Sequence, residues 1–141
     1  MKLTCYRLAL GAMACLALGA AACLSLNVAW AREVSAIEKI MEKGFNKGGL
    51  RHQMSSEIDK DSPNWEKVQK NSKEFTKLCN ELGQQTPPKG EADHWKKMTQ
   101  TMAKDAQQLE DLAGKKDLAS AKTTMNKING SCKSCHDVHR E

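Results

Sequence analysis

Residues 117–140 read DLASAKTTMNKINGSCKSCHDVHR, the most strongly patterned stretch of the chain. Leu118, Ala121, Met125, Ile128, Cys132, Cys135 and His139 recur at alternating intervals of three and four. On an α-helix these intervals fall on one face, so the stripe predicts an amphipathic helix carrying two cysteines inward. Asp117 is a strong N-cap residue and sets the start. A helix with one apolar stripe must bury it against partners, and the preceding residues supply three.

The pattern repeats upstream. From about Glu91 to Ala113, the residues Trp95, Met98, Met102, Ala106, Leu109 and Ala113 share a face, with Gly114 as the expected C-cap. From Pro63 to about Leu82, the inward set is Trp65, Val68, Phe75, Leu78, Cys79 and Leu82. Ser62 is the expected cap there, with Pro63 in the first helical position. Gly83 to Gly90 contains Pro87-Pro88 and reads as a connector. The first helix is expected from about Glu33 towards Ile58, with Ile37, Ile40, Met41, Gly44 and Phe45 facing the core. Gly48-Gly49 weakens or ends it, because Gly costs roughly 1 kcal/mol against Ala inside a helix. Four such helices with short links predict an all-α protein, an antiparallel four-helix bundle.

Composition agrees. The 141 residues are 4% aromatic and contain only 3 Pro, which disfavours a β-sandwich or barrel and a disordered chain alike. The length suits one domain and excludes a large multidomain enzyme. The first 31 residues differ from the rest. Lys2 and Arg7 precede an uncharged, Ala- and Leu-rich run from Leu8 to Val28, and Ala29-Trp30-Ala31 places small residues at −3 and −1. This is the pattern of a cleaved secretory signal peptide over 1–31. Two alternatives are a retained anchor, since the run nearly matches the roughly 20 residues that span a bilayer, and lipidation at Cys23. Cleavage leaves 32–141 as the functional domain, with Cys79, Cys132 and Cys135 as its cysteines.

Cys132-Lys133-Ser134-Cys135-His136 carries the chemistry. C-x-x-C-H is the attachment signature of c-type haem. Two thiols three apart on a helix can each form a thioether to a haem vinyl group, and His136 can give an imidazole nitrogen to the iron. Three other readings compete. A dithiol redox pair usually accompanies a βαβ pattern, which is absent. Zinc would need Cys132, Cys135, His136 and His139 to form a tetrahedron from within eight helical residues. A disulfide across so short a loop gains little entropy. The export leader also fits haem, since c-type haem is attached outside the cytoplasm.

The tail from Gly130 to Arg140 is similar to the ending of the class II c-type cytochromes, the cytochrome c′ family and its low-spin relatives. In that family C-x-x-C-H closes the chain on the last of four helices and is followed by an aromatic and then Arg. Here His139 stands where the aromatic usually does. The resemblance implies one covalent haem c near the C-terminal helix, with Cys132 and Cys135 as its thioether cysteines and His136 as the proximal iron ligand. For the sixth position it implies either an apolar residue of the first helix, leaving the iron five-coordinate, or a Met from that helix. Met41 is the candidate distal ligand, because Gly44 and Gly48 share its face and would let a flat porphyrin approach. His52 and Met54 compete.

The remaining residues are plainer. His94 is expected at the exposed start of the third helix, and His139 near the porphyrin. Cys79 is expected to be a buried thiol. Lys115, Lys116, Lys122, Lys127 and Lys133 form a candidate basic surface for an acidic redox partner. The function expected is a periplasmic monohaem electron carrier rather than an enzyme. The alternative is a five-coordinate protein that binds NO or CO. Expected partners are redox proteins and a second copy of the chain, not nucleic acid. A membrane enters only through an uncleaved leader or a lipid anchor.

Overall fold

A computed structural model describes residues 36–140. The expected leader over 1–31, with Cys23 and the cleavage site after Ala31, lies outside the described residues. The first element, α1, covers residues 36–45. It is α-helical over 36–40 and then widens into a π turn over Met41–Phe45, where the Asn46 amide donates to the Met41 carbonyl at 2.9 Å. Next, α2 runs Leu50–Ile58, α3 Trp65–Gly83, α4 Ala92–Lys115 and α5 Leu118–His139. No strand occurs among the described residues.

The expected single first helix is therefore two helices. Its break begins one turn earlier than the Gly pair alone suggests. Gly44 lies against α3, where an added Cβ would approach Leu78 Cδ1 to 3.0 Å and Phe75 to 3.6 Å. Gly48 then takes φ +91°, a left-handed turn that glycine adopts without steric cost. At Gly49 a Cβ would come within 2.9 Å of the Lys43 carbonyl, so the backbone doubles back too tightly for a side chain.

Two predicted caps are also displaced. Asn64, not Ser62, caps α3, its side-chain oxygen accepting from the Lys67 amide at 3.0 Å, and Pro63 stands just outside the helix. At the other end of the bundle α4 runs through Gly114, and Lys116 takes the left-handed position at φ +56°. Lys116 N–H bonds the Ala113 carbonyl and Asp117 N–H the Leu112 carbonyl, both at 3.1 Å, which is a Schellman closure. Asp117 can then cap α5 as expected, accepting from the Ser120 amide at 3.1 Å.

The elements assemble as an all-α four-helix bundle, with α1 and α2 together forming the first leg. Lys43 of α1 pairs with Glu74 of α3 at 2.7 Å, and Glu57 of α2 with Lys67 at 3.0 Å, so this leg runs antiparallel to α3. The main core gathers Met54, Ile58, Val68, Phe75, Cys79, Met102, Ala106, Leu109 and Ile128. A second apolar cluster, Ile40, Leu78, Leu82, Trp95 and Cys135, joins α1, the end of α3, the start of α4 and the end of α5. Burying side chains of this size contributes about 1.5–3 kcal/mol each before the cost of ordering the chain.

Candidate functional site

The last two turns of α5 bring the motif to this second cluster. Cys135 is buried among Ile40, Leu78, Leu82 and Trp95, with Ile37, Met41, Phe45, Leu50 and Met98 packed around them. Cys132, one turn earlier, is half-buried, and its thiol donates weakly to the Ile128 carbonyl at 3.8 Å. Both are free thiols. Burial pushes the Cys135 thiol up from its ordinary range, and the neighbouring Cys132 adds to this. His136 follows on the exposed side of the helix. Lys133 and Asp137 form an exposed pair at 2.6 Å across the same turn.

Met41 packs against the cluster that contains Cys135, and is half-buried. The rationale from its glycine neighbours is corrected, however. Gly44 makes room for Leu78 and Phe75 of α3, and Gly48 is a turn residue with nothing within 4 Å of an added Cβ. The two competitors separate clearly from the site. Met54 is fully buried in the main core, where its sulfur accepts from Ser72 Oγ at 3.3 Å, and His52 is exposed on α2.

His139 faces inward as its place in the stripe requires, but it is engaged elsewhere. Its Nδ1 lies 2.7 Å from the Lys89 carbonyl and its Nε2 2.8 Å from His94 Nδ1. The two imidazoles stack at 5.0 Å, and Trp95 meets His139 edge-on at 5.2 Å. His94 is exposed as expected yet is tied to α5, which its position in the sequence does not reveal. With His139 so occupied, the four-ligand zinc reading loses a member. Among the described residues no three His, Cys, Asp or Glu side chains gather for a metal ion.

Two further expectations change or hold. Two of the five lysines lie far along the chain from the motif. Lys115 and Lys116 belong to the α4–α5 turn, roughly 16 residues before Cys132, or about 24 Å at 1.5 Å per residue. Cys79 is buried as expected, and desolvation pushes its thiol up to about 12, which keeps it protonated and inert. Sequence reasoning missed Arg51. Its guanidinium donates to Asn129 Oδ1 at 2.7 Å and to the Phe45 carbonyl at 3.3 Å, tying the π turn to α5 just ahead of Cys132. No local pattern signals a contact made across 78 positions.

The donor set suits a covalent haem. Two unpaired thiols one helical turn apart abut a cluster of aliphatic and aromatic side chains, and an imidazole follows directly. That combination offers two thioether positions, an apolar floor for a macrocycle and an iron ligand. Residues 89–140, spanning α4 and α5, match the family model described as Cytochrome C'. No curated protein and no solved structure matches the chain. The matched segment contains C-x-x-C-H and forms half of a four-helix bundle, and over those residues it supports assignment to the cytochrome c′ family of haem-binding c-type cytochromes.

Proposed function

We propose that the protein is an exported monohaem cytochrome that carries electrons, with the signal peptide over 1–31 removed and the domain over 32–141 working in the periplasm. The haem supplies an iron that exchanges one electron. Cys132 and Cys135 hold it by thioethers, which prevents its loss, and His136 is the proximal ligand. Met41 is the distal ligand, and Met–His ligation raises the reduction potential. The reading is of a carrier and not an enzyme.

One observation carries this reading: Cys135 and Met41, 94 positions apart in sequence, pack on the same apolar cluster at the motif end of the bundle. The π turn beneath Met41 adds to it, since such turns occur frequently at functional sites. The second reading, a five-coordinate protein binding NO or CO, is favoured by the packing of Gly44 against α3, which removes one reason for choosing Met41.

Attachment is tested by intact mass and the alkaline pyridine ferrohaemochrome spectrum of protein made in a host that matures c-type cytochromes. Wild type is expected to carry one haem that acid–acetone does not extract. Cys132→Ser and Cys135→Ser are each expected to give the spectrum of a haem held by one thioether. Extractable haem in the wild type, or none, would refute the assignment.

A further inference from the structure

We propose that His94 and His139 form a hydrogen-bonded clamp that positions the turn of α5 carrying His136. The proposal rests on His136 being the axial ligand. His139 is 2% exposed and lies three residues beyond His136, on the last turn of α5. That turn closes on the His136 carbonyl itself, which accepts from the Arg140 amide at 3.1 Å. Terminal helical turns fray unless something holds them. Here His139 is held on two sides, by the Lys89 carbonyl of the connector and by His94 of α4, with Trp95 packed edge-on. The connector is pressed close: Gly90 takes φ +80°, and a Cβ there would come within 3.0 Å of His139 Nδ1.

The direction of every bond follows from one fact: a carbonyl only accepts. His139 Nδ1–H therefore donates to Lys89. Its Nε2 carries the lone pair and accepts from His94 Nδ1–H, which leaves His94 Nε2 for solvent.

The charged groups on the surrounding elements are Lys89 and Glu91 of the connector, Asp93 and Lys97 of α4, and Lys133, Asp137 and Arg140 of α5. Among the described residues none of them is ion-paired to either imidazole. The pair is therefore set by its own hydrogen-bond order rather than by a fixed countercharge. No role in a tetrahedral metal site accounts for a ring that points both its nitrogens at these two partners.

The test is amide hydrogen exchange of residues 136–140 in the haem-loaded protein, read as protection factors at one fixed pH. His94→Ala is expected to lower protection by roughly 3- to 10-fold, the worth of one ordinary hydrogen bond. His94→Gln is expected to keep wild-type protection, because its side-chain amide donates in place of the imidazole N–H. The midpoint potential should show the same ordering, with wild type and His94→Gln together and His94→Ala apart. A His94→Ala protein as protected as wild type, or a His94→Gln protein as unprotected as His94→Ala, would overturn the clamp. The expected exchange pattern in a chain without covalent haem would support the clamp and overturn the axial role of His136.

Discussion

Glu57 is a buried carboxylate engaged on both oxygens. It is 6% exposed, and its two oxygens accept from Lys60 at 2.8 Å and Lys67 at 3.0 Å. Those hydrogen bonds and charges outweigh desolvation and hold its carboxyl down to about 2. A carboxylate lowered on folding stabilises the folded state above its ordinary range, near 4.5, and that contribution is lost as pH falls through about 2. Glu57→Gln is therefore expected to lower Tm at pH 7, with the gap to wild type closing between about pH 4.5 and about pH 2. Thermal melts across that range check it, and a gap independent of pH would show that the pair contributes nothing ionic. That Lys60 of the α2–α3 link and Lys67 of α3 converge on one glutamate is not legible in the sequence, because it depends on how α2 and α3 meet.

At the scale of the elements, local chemistry explains most starts and stops, and tertiary contact explains the exceptions. Asp117 capping α5 and the 3–4 stripe that carries Cys132, Cys135 and His139 were legible because each depends on residues within a turn or two. The π turn at Met41–Phe45 was not, because it arises where Gly44 must meet Leu78 and Phe75. Nor was the end of α4, where the chain passes over the obvious Gly114 and puts Lys116 in a left-handed conformation to reach the Schellman bonds. A non-glycine residue there carries a backbone penalty of about 1–2 kcal/mol. Lys116→Gly removes it and loses part of the gain to the greater freedom of glycine in the unfolded chain. The variant is expected to be more stable by up to about 1 kcal/mol in urea unfolding. A loss of stability would mean that the Lys116 side chain makes a contact worth more than the strain.

For the whole molecule, the distribution of the two apolar clusters is the main result. One fills the bundle along its length, and the other gathers four legs around Cys135. The four-helix architecture and the attachment motif could be read from residue spacing, and the family match over residues 89–140 agrees. The partner of the motif across the bundle is a question of packing: Gly44 packs on α3, and Met41 lies on the cluster that holds Cys135. Met41 ligation is measured by the absorption spectrum of the ferrous, haem-loaded protein with and without CO, in wild type and in Met41→Ala. Wild type is expected to be low-spin and unchanged by CO, and Met41→Ala to become high-spin and CO-binding. A wild type that is already high-spin and takes up CO would contradict Met41 ligation and favour the gas-binding reading.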